Sequence, residues 1–259
     1  MEIMECVRHH HLLVAEKGYE VVMTVLIGSQ NYGLDTEESD IDTFTFVLPS
    51  FEDLAFAREP VSGEFEVEDG KCMYKDIRLA LNLLKKTSPN SVECFTGKYR
   101  IFNPEYAYIL EYFLCDEINI GKMVHCNHSH MLYAIAGMAF QLAKRNMPAG
   151  KRYSHALRLH SMIDTFTSSL DTKHLLELLP CDYDEAFAAK RDTSNEMDEY
   201  YNKRCEEIAE YLKNTLENFE LTYYKEKIEK EGLALIKRLE RVLMRHYIEK
   251  LGENNKDGD

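Results

Sequence analysis

Apolar Met4, Val7, Leu12 and Ala15 recur at near-helical spacing and Gly18 stands as a stop, so the pattern predicts a first helix over residues 3–16 that ends near Lys17. Val21 to Ile27 is a nearly continuous apolar run with β-branched members, as expected of a strand covered on both faces. A second strand is expected from about Ile41 to Leu48, closed by Pro49. Glu64 to Glu68 alternates, Asp69-Gly70 is a hairpin turn signal, and Lys71 to Ile77 returns as a third strand. A helix is expected from about Arg78, ending at Ser88-Pro89. Beyond about residue 105 alternation disappears and helical periodicity takes over. Ser129 is expected to cap a helix with the stripe Met131, Leu132, Ile135, Met138, Ala139 and Leu142. A second helix is expected over about Lys151 to Phe166, and a third from near Thr193, where Thr193-x-x-Glu196 is a capping-box pattern. A last helix over about 225–251 is expected to be interrupted at Gly232. The pattern therefore predicts an α+β protein: a sheet-bearing domain over 1–104, an all-helical domain over 105–251 and a disordered tail over 252–259.

Composition narrows this picture. A chain of 259 residues can bury a substantial core, and two ordinary domains fit its length. The net charge of −14 argues against non-specific coating of DNA, which needs a local excess of Lys and Arg. One stretch departs from the acidic average. Residues 118–163 hold no Asp or Glu, where 45 acids in 259 residues would put about eight in 46, yet they hold Lys122, Lys144, Arg145, Lys151, Arg152 and Arg158. Seven cysteines form no Cys-x-x-Cys pair, which predicts reduced thiols. The absence of a long apolar run and of a basic leader predicts a soluble, cytoplasmic protein without a membrane partner. His125, Cys126, His128 and His130 match no standard zinc spacing and are read as structural. His9, His10 and His11 fan apart around a helix and are read as surface and boundary residues.

Candidate chemistry centres on residues 25–47. Asp40 and Asp42 project from one face of a strand, roughly 6.6 to 6.8 Å apart at Cα, so both can hold one Mg²⁺. The Gly28-Ser29 turn before them offers close backbone approach, amide donors and a hydroxyl for phosphate.

A strand ending in Gly-Ser, ten residues, then Asp-Ile-Asp opening another strand resembles the signature of the DNA polymerase beta-type nucleotidyltransferase superfamily. The full string from Gly28 to Asp42 is similar to its small bacterial and phage members. The resemblance continues through Tyr74 to Arg78 and Asn90 to Glu93, covering residues 20 to about 105. It implies a mixed sheet flanked by helices and a Mg²⁺-dependent transfer of NMP from an NTP to a hydroxyl of a protein, an RNA or a small molecule, with two metal ions. Asp40 and Asp42 would hold the metal, Gly28 and Ser29 the β/γ-phosphates, and Tyr32 and Gly33 would shape the loop. The superfamily's third acid is expected on a neighbouring strand; Asp76 is the choice, with Glu66, Glu68 and Glu93 as rivals. Residues after the sheet often close the nucleotide pocket, for which Lys151, Arg152 and Arg158 are the candidates, unless they pair with acids of the first half. A degenerate member, binding nucleotide or a partner as an antitoxin would, is the alternative reading.

Overall fold

A computed structural model describes residues 2–254, apart from residues 38, 143, 170, 171 and 173 and the side chains of residues 253 and 254. Helix α1 (Ile3–Glu16) lies against β1 (Glu20–Ile27), whose six central residues are all buried. After the loop come β2 (Asp42–Leu48), the short α2 (Phe51–Ala55), and the hairpin β3 (Ser62–Val67) and β4 (Gly70–Asp76). Helices α3 (Ile77–Lys86) and α4 (Pro89–Thr96) lead to β5 (Arg100–Phe102). The sheet order is β3-β4-β2-β1-β5, with β2 and β4 parallel and the other pairs antiparallel, so the sheet is mixed and the molecule α+β.

Two registers decide where the acidic strand ends lie. Ile27 pairs with Asp42, which brings the start of β2 beside the end of β1. Val47 pairs with Asp76, which sends the end of β4 to the opposite rim.

The rest is helical: α5 (Ala107–Leu110) running into a π turn, α6 (Glu117–Val124), α7 (His128–Leu142), α8 (Ala149–Ser168), α9 (Pro180–Arg191), α10 (Asp198–Glu217) and α11 (Tyr223–Asn254). One buried apolar cluster runs from Val22 and Phe46 of the sheet to Leu243 and Tyr247 of α11. Among the described residues no helix is long and apolar enough to cross a membrane.

Several expectations are corrected. Helix α7 begins at His128, and Asn127 rather than Ser129 accepts the His130 N–H, at 3.2 Å. The Thr193 capping box is not formed; the helix starts at Asp198. Gly232 does not interrupt α11, because the bare backbone there lets the Lys122 carbonyl of α6 approach so closely that a Cβ would collide with it. Helix α11 also continues through Gly252 to Asn254; the remainder of the expected tail lies outside the described residues.

The expected surface histidines divide. His9 is exposed, but His10 is buried between α1 and the sheet, bonded to Thr43 Oγ1 at 3.0 Å and Asp69 Oδ1 at 2.9 Å. His11 reaches Thr24 Oγ1 at 3.1 Å. Buried threonine hydroxyls on that sheet face need partners, and the imidazoles supply them.

Candidate active site

The turn after β1 is built around Gly28, whose φ of +103° suits glycine. Its amide does not face outward to solvent or ligand: it donates to Glu93 Oε1 of α4 at 2.6 Å. The same oxygen accepts from Asn31 Nδ2 at 3.2 Å, while Asn31 also donates to the Leu26 carbonyl at 2.8 Å and accepts the Lys98 N–H at 3.3 Å. Residues Ser29–Tyr32 form one 3₁₀ turn, and the Ser29 hydroxyl reaches Ser39 Oγ at 3.4 Å.

Opposite the turn stand the two carboxylates. The Ile41 N–H donates to the Asp69 carbonyl at 2.8 Å, which seats the segment on the β3–β4 hairpin. Asp42 Oδ1 accepts the Lys71 N–H at 3.1 Å, and Gln30 Nε2 donates to the Asp40 carbonyl at 2.8 Å. Burial raises the Asp42 pKa, and the neighbouring Asp40 charge raises it further. Two hard oxygen donors in one cavity suit a divalent cation, which would offset what disfavours the Asp42 charge.

A cavity of about 390 Å³ joins these pieces. Ile27, Gly28, Ser29, Asp40 and Asp42 line one side, and Lys151 and His155 of α8 with Lys190 of α9 line the other. The helical wall is crowded with positive charge. Burial, then the nearby Lys151, lowers the Lys190 pKa, and burial together with Arg158, Lys151 and Lys190 pushes His155 down to about 3. An anion in the cavity would relieve that crowding. Helix α9 is fastened to the loop: the Tyr183 hydroxyl donates to the Gly33 carbonyl at 3.1 Å, and Arg191 Nη2 to the Asp35 carbonyl at 2.7 Å.

The expected site residues are thus sorted. Gly28, Ser29, Asp40, Asp42 and Lys151 come together. Tyr32 is buried behind the turn with the Arg158 guanidinium 4.4 Å from its ring centre, so Arg158 backs the turn and lines a separate small cavity with Asn90 and Arg145. Gly33 takes a left-handed conformation that presents its carbonyl to Tyr183. Arg152 turns away, donating to Asn202 Oδ1 at 2.5 Å.

Asp76 does not join either. It is fully buried at the far rim, where Oδ1 caps α3 by accepting the Arg78 N–H at 2.8 Å and the carboxylate takes the Arg78 guanidinium at 2.6 Å. The β4 neighbour of Asp42 is Lys71, one step before the Thr43–Cys72 pair, and its ammonium lies between Glu64 and Glu66. Glu66 therefore faces that lysine, and Glu68 lies in the turn after β3. Glu93 holds the Gly28 turn from behind. Among the described residues no three His, Cys, Asp or Glu side chains are grouped to hold a metal ion. His125 and His128 are packed on Phe166, the first with its ring stacked at 4.2 Å.

Lys190 and Tyr183 were not legible in the sequence; His155 was, by spacing, on one helix face with Lys151 and Arg158, but it was not among the expected site residues. The basic dipeptide Lys190-Arg191 lies in a stretch, 180–191, with neither an apolar stripe nor a charge anomaly; only the fold brings it across to Asp40.

The family model described as RlaP, RNA repair pathway DNA polymerase beta family, matches residues 7–245. No curated protein matches the chain.

Proposed function

This chain belongs to the RNA repair pathway DNA polymerase beta family, and from that premise we propose that it is a Mg²⁺-dependent enzyme that moves an NMP from an NTP to a hydroxyl acceptor and releases pyrophosphate. The observation that carries the reading is the single cavity shared by Ser29, Asp40, Asp42, Lys151 and Lys190. A triphosphate laid between the turn and the helical wall would meet the Ser29 hydroxyl on one side and two ammonium groups on the other. Asp40 and Asp42 would hold Mg²⁺, which when bound supplies charge neutralisation and polarises the phosphoryl group. Lys151 and Lys190 would draw charge towards the leaving pyrophosphate, and their fixed placement avoids reorganisation as the bond to the α-phosphorus changes hands. The acceptor oxygen forms its bond to the α-phosphorus while the bond to pyrophosphate breaks. The family description speaks of RNA repair, which favours an RNA hydroxyl over a protein or small-molecule acceptor. Seven free cysteines and an acidic chain suit a cytoplasmic setting.

One observation favours a second reading, a binding protein that has lost turnover: Lys71 stands beside Asp42 where a further acid would complete the metal site. Incubation with α-labelled NTP, Mg²⁺ and RNA separates the two. Wild type is expected to label the RNA and Asp42→Asn to label nothing. Mg²⁺-dependent NTP binding without pyrophosphate release would support the second reading, and absence of both would remove both.

A further inference from the structure

Asn90 to Glu93 carry part of the family resemblance, yet the proposed transfer gives Glu93 no task. Only 5% of it is exposed, although it is a carboxylate on a helix that faces the core. Such a group costs free energy unless its oxygens are satisfied. Here Oε1 takes two donors from one turn, the Gly28 amide at 2.6 Å and the Asn31 side chain at 3.2 Å. A negative charge directly behind a phosphate turn also repels the phosphate, so its presence calls for a geometric return.

That return is visible in the donors. At φ +103° Gly28 aims its amide at α4, away from the cavity, and Glu93 holds it there. Asn31 spreads the hold sideways to the Leu26 carbonyl at the end of β1 and to the Lys98 amide after α4. Ser29, between the two clamped residues, is the one whose side chain is left to line the cavity together with Asp40 and Asp42. Glu93 itself does not line it. Charge-assisted bonds to an ionised acceptor are stronger than neutral ones, which explains a carboxylate where an amide would be electrostatically milder.

We propose that Glu93 is the positioning residue of the phosphate-binding turn: it clamps Gly28 and Asn31 from behind so that Ser29 meets the triphosphate. The proposal rests on the nucleotidyltransferase reading and deepens it. Because Glu93 acts through the turn, losing it should cost nucleotide affinity through disorder of residues 28–33 rather than through the chemistry at Asp42.

The test pairs Glu93→Ala with Glu93→Gln, whose amide oxygen can still accept from Gly28 and Asn31. Full-length proteins are compared by Mg·ATP titration and by amide hydrogen exchange of the peptide covering 28–33. Glu93→Ala is expected to weaken Mg·ATP binding about tenfold or more and to speed exchange in that peptide, while Glu93→Gln recovers most of both. Unchanged Mg·ATP affinity in folded Glu93→Ala, or faster exchange in Glu93→Gln equal to that of Glu93→Ala, would overturn the proposal while leaving the nucleotidyltransferase reading intact. Failure of wild type to bind any of the four NTPs with Mg²⁺ would overturn that reading and the proposal together, and if another NTP binds in place of ATP the titrations are run with that one. Should Glu93→Ala not fold, Glu93→Gln alone decides: near-wild-type affinity supports the clamp, and a loss as large as that of Asp42→Asn overturns it.

Discussion

Asp42 and Asp76 are aspartates at opposite ends of adjacent strands, and their neighbours give them opposite work. Asp42 has one backbone donor, the Asp40 charge beside it and a raised pKa, so it gains by meeting a cation. Asp76 is already satisfied by the Arg78 amide and guanidinium. Asp76→Ala should therefore cost stability, about 2–4 kcal/mol for a lost helix cap plus a charge-assisted pair whose arginine is partly exposed. Urea unfolding measures that loss, and Mg·ATP affinity should stay at the wild-type value. Lost metal dependence at unchanged stability would instead return Asp76 to the metal site. The sequence could not separate the two, because both read as an acid at a strand end; the parallel register that carries Asp76 to the far rim is a long-range property. Asp40, Asp42, Gly28 and Ser29 could be grouped from the sequence because their relations are local, one turn and the start of one strand, although β2 begins only at Asp42 and Asp40 precedes it.

At the scale of elements, glycines show where local reading stops. Gly232 looks like a helix breaker, but in α11 it is where α6 crosses close by. Gly137 on α7 has open space where a Cβ would go. The same substitution should act with opposite signs. Gly232→Ala is expected to destabilise by about 1–3 kcal/mol, overpacking outweighing the better helix propensity. Gly137→Ala should stabilise by up to about 1 kcal/mol. Thermal melts of the pair check this, and a stabilised Gly232→Ala would refute the close crossing. Strands β1 to β4 and α1 were legible because apolar runs, amphipathic spacing and the Asp69-Gly70 turn are strong signals; the three-residue β5 was not, because it is too short to show a period. Helix α9 was not, since its placement comes from tertiary bonds: Asp182 accepts from Ser161 Oγ at 2.7 Å and His160 Nδ1 at 2.9 Å.

Across the whole molecule, the acid-free stretch does not form one uniform positive face. Lys151 reaches the cavity, Arg158 backs Tyr32, Arg152 bonds Asn202, and Lys122 pairs with Glu231 at 2.7 Å. Composition announced the excess, and packing distributed it. Besides pushing His155 down, folding also buries His125 and His128 without charging them: burial first, then neighbouring positive charge, pushes His125 down to about 3 and His128 to about 4. The unfolded chain takes up those protons below about pH 6.5 whereas the native state does not, so stability should fall as pH drops from there towards the native values. His160 works the other way, because Asp182 raises its pKa and its contribution is lost as pH rises. A His125→Gln, His128→Gln double variant should therefore show a shallower decline of melting temperature between about pH 7 and pH 5 than wild type. An unchanged slope would mean that neither group titrates differently on unfolding.

The separation along the chain between the acids near residue 40 and the ammonium of Lys190 has a consequence during synthesis. A growing polypeptide carries its acidic half long before α9 leaves the ribosome, and until α9 docks on the Gly33–Asp35 loop the wall that faces those acids lacks Lys190 and has only Lys151 as its ammonium. Nascent chains should thus be unable to trap a nucleotide, and that capacity should arrive late, once most of the protein has been made.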